Sequence, residues 1–141
     1  MVELDGRQDA KKQERTIVVM LTKRDKIIYW GSTGLLCVMM TASAIMYVVK
    51  YSEVSTVFVA LGYPEYLIYP LAVAKLLGVL AILTKRSGLL KGLAYAGFFY
   101  DFLLAASAHL HAGDGEYFPA LAALILLIVS FVYDRKLFPE K

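Results

Sequence analysis

Residues 67–110 read LIYPLAVAKLLGVLAILTKRSGLLKGLAYAGFFYDFLLAASAHL. They form two apolar runs, Leu67 to Thr84 and Gly92 to Leu110, separated by a short basic connection. Each run is long enough to cross roughly 30 Å of hydrocarbon as a helix rising about 1.5 Å per residue. One charge interrupts each run: Lys75 in the first and Asp101 in the second. An unpaired charge in hydrocarbon costs roughly 2.5 to 3.5 kcal/mol on insertion scales, so opposite charges at matching depth favour pairing. Counted from Leu67 and from Leu110, both sit roughly 12 to 14 Å below the same membrane face. The expectation is a Lys75–Asp101 pair across a helix–helix seam.

Two further runs flank this pair, Ile27 to Val49 and Tyr117 to Tyr133, the second barely long enough to span. Hydrophobic residues make up 59% of the 141 and charged ones only 19%, too little polar surface for a soluble domain of this size. Backbone polar groups inside a bilayer must be paired within the segment, which favours helices. The fold class expected is all-α: a four-helix transmembrane bundle over 23–141, with spans at about 27–49, 67–84, 92–110 and 117–133. Residues 1–22 read as a basic N-terminal arm, flexible or a short surface helix. Ile17 to Leu21 is too short for a signal-peptide core, so no cleaved signal is expected.

The basic residues give the orientation. Seven precede the first span, three lie in the second connection and three in the tail, so 13 of the 15 Lys and Arg fall on one side. The positive-inside rule then predicts that both termini are cytoplasmic. The charge reflects topology, and no nucleic-acid partner is expected; the arm can also meet anionic lipid headgroups.

The first outer connection carries helical signals. Val54, Val57, Phe58 and Leu61 recur at i, i+3, i+4 and i+7, with Ser52 placed as N-cap, Gly62 as stop and Pro64 just beyond. This is a short amphipathic interfacial helix between spans 1 and 2, either a surface element or a lid over the pocket beneath. Small residues line up with the charges, Ala94, Gly97, Ala105 and Ala108 around Asp101 and Ala72 and Gly78 around Lys75. They mark the expected helix contacts, with the larger apolar side chains on the other faces meeting lipid.

Candidate site residues follow from depth. Thr41 lies level with Lys75 on the first span, and its hydroxyl completes an intramembrane polar pocket with Lys75 and Asp101. His109 ends the Asp101 helix, where a titratable ring can relay protons through water or a tyrosine such as Tyr47. His109, His111, Asp114 and Glu116 are types that bind metal, but His109 and His111 point to different sides of a helix and Asp114-Gly115 reads as a turn, so no metal site is expected. Cys37 is the only cysteine, which excludes an internal disulfide or Cys-x-x-Cys centre. Redox chemistry here requires a bound cofactor or a partner.

Several stretches resemble one family: Lys23-Arg24-Asp25-Lys26-Ile27-Ile28-Tyr29-Trp30, Leu61-Gly62-Tyr63-Pro64, Ala74-Lys75-Leu76-Leu77-Gly78, residues 94–102 (AYAGFFYDF), and Ser107-Ala108-His109 through Gly113-Asp114-Gly115. Over about Lys23 to Phe138 the chain is similar to the DoxX-like small bacterial membrane proteins. That resemblance implies a four-helix membrane fold and relatives linked to quinone-coupled oxidation of sulfur compounds, to membrane oxidoreductase complexes and to assembly of other membrane proteins. The leading expectation is a membrane component that binds a quinone-like or lipid molecule beside Lys75 and Asp101 and serves an oxidoreductase or another membrane-protein partner. The alternatives are an assembly or scaffolding factor and a small proton-coupled transporter.

Overall fold

The computed structural model describes residues 2–139, all helical apart from short connections. Five α-helices follow in order: α1 (Val2–Val49), α2 (Tyr51–Ala60), α3 (Ile68–Thr84), α4 (Gly88–Ala112) and α5 (Tyr117–Leu137), with a 3-10 turn at Glu65–Leu67 before α3. Helices α1, α3, α4 and α5 are long and apolar enough to cross a membrane. They pack in a closed square, α1 against α3, α3 against α4, α4 against α5 and α5 back against α1; among the described residues the diagonal helices do not approach closely backbone to backbone. The chain is a multi-pass membrane protein built as the expected four-helix bundle. Most large apolar side chains on the outer surface, Leu77, Leu80, Leu93 and Ile125 among them, are exposed, as lipid-facing positions require.

Helix α1 runs unbroken for 48 residues, roughly 72 Å at 1.5 Å per residue. Its buried positions begin at Asp25 and continue through Tyr29, Ser32, Thr33, Leu36, Cys37, Met40 and Ala44. Residues 2–21 are exposed helix continuous with the span. The core lies midway along the bundle, where Leu36 and Met40 meet Val79 and Ile82 of α3, Tyr95, Phe98 and Phe102 of α4, and Ala123 and Leu127 of α5. Phe98 and Phe102 therefore fill the interior instead of meeting lipid. On α3 the small residues Ala72 and Gly78 are buried, as expected. On α4 the packed face is Ala94, Phe98, Phe102 and Ala106, whereas Gly97 is exposed with nothing near its Cβ position. Close approach comes instead from Gly78, where a Cβ would stand 2.6 Å from the Phe98 ring; only a residue without a side chain lets that ring cross the seam.

The connections fix the helix ends. Helix α2 starts one residue before the expected cap, with Lys50 at the N-cap position and Ser52 inside the first turn. Its end follows the sequence signal: Gly62 adopts φ +84°, Tyr63 N donates to Phe58 O and Gly62 N to Val59 O. This is the paired hydrogen-bond closure of a Schellman motif. Ser87 caps α4 by accepting from Leu90 N, so α4 begins at Gly88 and α5 continues to Leu137. Both helices are longer than their apolar runs. That extra turn carries Lys91 and Asp134 into the packed interior.

Candidate functional site

Lys75 projects from α3 into the angle between α1 and α4. Its side chain is 7% exposed, and its ammonium lies 3.7 Å from Asp101 Oδ2 of α4. The same nitrogen donates to Ser43 Oγ at 2.9 Å and sits 4.0 Å from the centre of the Tyr47 ring, within reach of a cation–π attraction. Three helices thus converge on one cation. Asp101 stays a quarter exposed on the flank of α4, and its 3.7 Å contact is beyond hydrogen-bond range. It is an ion pair with slack.

The hydroxyl that meets Lys75 is Ser43, not Thr41. The depth count was right to within a helical turn, but two residues rotate a side chain by about 200° around a helix, and only Ser43 shares the Tyr47 face. Tyr47 does join the site, through its ring. His109 does not: its Nδ1 lies 2.8 Å from Asp114 Oδ2 in the α4–α5 turn, where Asp114 also accepts from Glu116 N. The His109 contact, helped by Glu116 N, holds the Asp114 carboxyl below its ordinary value. Among the described residues no group of three or more His, Cys, Asp or Glu side chains comes together.

Helix α2 covers the Lys75 site. Phe58 stands edge-on to Tyr47 with centroids 5.5 Å apart, Tyr63 packs on Phe58 at 6.1 Å, and the Tyr63 hydroxyl donates to Leu104 O of α4 at 3.5 Å. An aromatic chain therefore links the lysine to α2 and bridges across to α4. Val54 is the buried anchor of α2, while Val57, expected on the inward stripe, is about half exposed.

A second polar centre lies at the opposite, basic end. Lys91 Nζ stands 2.7 Å from Asp134 Oδ2, with side chains 5% and 1% exposed. The contact is short but off-axis, since neither Asp134 oxygen has an aligned hydrogen-bond donor. Charge holds it. Beside it Ser130 bonds Thr33 and, at 2.8 Å, the Tyr95 hydroxyl, and Lys136 pairs with Asp25 at 2.7 Å. Lys85, in the left-handed conformation that ends α3, places its ammonium 4.6 to 4.9 Å from the Tyr29, Trp30 and Phe138 rings; burial there pushes its pKa down. Sequence reasoning assigned Lys91 to a loop and the positions after Tyr133 to a tail. Helical periodicity carried past the apolar window finds them: Asp134 falls at i+4 from Ser130 and i+7 from Leu127, and Lys91 at i−4 from Tyr95 and i−7 from Phe98, each on its helix's buried face.

The pattern of the DoxX-like family matches residues 31–132, most of the chain and all four helices of the Lys75 site and its cover. The chain belongs to the DoxX-like family. No curated protein and no solved structure matches it. The DoxX-like match contains Ser43, Tyr47, Lys75, Asp101 and Lys91 but stops short of Asp134.

Proposed function

We propose that this DoxX-like protein binds a lipid-soluble molecule with a polar head, of quinone-like chemistry, beside Lys75 and Asp101. The observation that carries this reading is the slack pair: a buried ammonium and a partly exposed carboxylate 3.7 Å apart, too far for a hydrogen bond and reachable from the flank of α4. A quinone presents carbonyl acceptors and its reduced form presents hydroxyl donors. Lys75 donates to the first and Asp101 accepts from the second, with Ser43 and the Tyr47 face fixing the lysine. Apolar lining with a few convergent polar groups is the usual make-up of such sites. Helix α2 acts as the cover, because displacing Phe58 from Tyr47 opens the site toward the acidic, lysine-poor end. The charge distribution supports cytoplasmic termini and, with them, a site in the outer half of a bacterial inner membrane. The role that follows is a component serving a redox or stress-related membrane complex.

Adding a short-chain quinone to the detergent-purified protein raises its unfolding temperature in proportion to occupancy, and Lys75→Met, paired with Asp101→Leu to leave no lone charge, abolishes the shift. A folded wild-type protein that shows no shift and carries no quinone by mass spectrometry overturns the reading. A double variant that keeps the shift overturns the placement. If the double variant loses the shift yet still assembles with its membrane partners, the pair serves ligand binding and not scaffolding.

A further inference from the structure

Tyr63 stands between α2 and the 3-10 turn, and its backbone belongs to the closure of α2. Its N–H donates to Phe58 O at 2.8 Å, so the Tyr63 and Phe58 rings, 6.1 Å apart, move as one unit. The Tyr63 hydroxyl reaches out of this unit and donates to Leu104 O of α4 at 3.5 Å. Leu104 lies three residues beyond Asp101, one turn outward on a neighbouring face of the same helix. The bond therefore lands close to the partly exposed carboxylate of the Lys75 site.

Little else holds this end of the connection. Among the described residues no other side-chain hydrogen bond joins residues 51–63 to the bundle; Thr56 bonds Ser52 O and Lys50 bonds Glu53, both locally. The one buried residue of α2 is Val54, near its start, where Tyr51 also stacks on Tyr69 at 5.1 Å. The anchors thus gather in the first half of α2, and from Phe58 onward it rests on Tyr47 and on the Tyr63 bond. Few buried contacts mark a segment that opens locally at low cost. A hydroxyl bond longer than the usual range of about 2.5 to 3.0 Å closes such a segment without locking it. We propose that Tyr63 is the latch of the Lys75 site: releasing its hydroxyl from Leu104 O lets Phe58 leave Tyr47, with α2 pivoting at its Tyr51 end, and admits ligand along the Asp101 flank of α4. This rests on the reading of that centre as a ligand site.

Ser43→Cys, in a chain carrying Cys37→Ser, puts a thiol where the Ser43 hydroxyl meets Lys75. Its alkylation by N-ethylmaleimide in detergent reports opening with no ligand present. Tyr63→Phe removes only the hydroxyl and speeds that alkylation about three- to fivefold, the population change expected from one lost hydrogen bond. The native Cys37, 5% exposed in the core, reports on the bundle as a whole and keeps its slow rate in Tyr63→Phe. An unchanged rate at position 43 overturns the latch. So does an equal rise at both positions, which means general loosening. With the short-chain quinone, Tyr63→Phe speeds association and dissociation together and leaves Kd nearly unchanged, as gating predicts. A rise in dissociation alone makes Tyr63 a ligand contact and overturns the latch. Alkylation decides the latch and quinone binding by the wild-type protein decides the site, so either can fail alone.

Discussion

The lysine–aspartate pairs built on the buried Lys75 and Lys91 hold the same charges in opposite ways. Lys91–Asp134 is closed, at 2.7 Å with both side chains essentially inaccessible, whereas Lys75–Asp101 is separated by 3.7 Å with the carboxylate a quarter exposed. Their places on the helices explain much of the contrast. Lys91 is the fourth residue of α4 and Asp134 lies in the last turn of α5. Each therefore sits at the end of its helix whose partial charge has its own sign. Burial and the helix dipole both disfavour each charge, and the partner offsets them, with Lys91 also donating to Phe138 O at 3.4 Å. Lys75 and Asp101 stand nearer mid-helix, where the dipole ends do not reach, and Ser43 and Tyr47 share the load on the lysine. The closed pair locks α4 to α5; the open one ties α3 to α4 more loosely.

The sharpest way to break the contrast is Asp134→Ala. It leaves Lys91 buried without an anion and costs about 3 to 5 kcal/mol, the range for removing one partner of a buried pair. Combining it with Lys91→Met returns most of the loss, as measured by thermal or denaturant unfolding in detergent; strictly additive losses would show that the two residues do not act as a pair. Asp101→Asn probes the open pair with a smaller effect. Because that carboxylate is partly exposed and Lys75 keeps Ser43 and the Tyr47 ring, the expected loss is about 1 to 2 kcal/mol, between the surface and buried cases. A loss equal to that of Asp134→Ala would erase the distinction between the two centres.

The smallest effect belongs to the exposed His109–Asp114 contact. The Asp114 carboxyl is held below its unfolded value, so this contact stabilises the α4–α5 turn fully above the unfolded carboxylate range near 3.9 and is lost as pH falls through the folded value. Hydrogen exchange of the amides at 113–116 should therefore quicken, relative to the intrinsic rate, only below about pH 4. Protection unchanged down to the lowest folded pH would mean that backbone geometry alone holds the turn.

Legibility in the sequence followed the strength of the physical constraint. The four spans and the meeting of Lys75 with Asp101 were readable because hydrocarbon penalises polar backbone and lone charge by several kcal/mol, and the short α2 because its apolar spacing and Gly62 stop are local signals. Ser43 in place of Thr41 was not readable from depth alone, since depth ignores rotation about the helix. His109 was misplaced for a related reason: proximity along α4 says nothing of the turn residue Asp114 folding back onto it. Lys91 and Asp134 escaped notice because a hydropathy window ends where charge begins, while the helices do not.

Composition and one-dimensional spacing determined that this chain crosses a membrane four times as helices and that two opposite charges lie at one depth inside it. These follow from the solvent, which treats every residue by its own chemistry. Tertiary structure decided which faces turn inward, that α4 and α5 outlast their apolar runs by a turn, that Phe98 crosses over Gly78, and that the second, tighter pair forms at the basic end. Those outcomes depend on azimuth and on side chains distant in the chain, and helix packing supplies both only when all four helices close on one another.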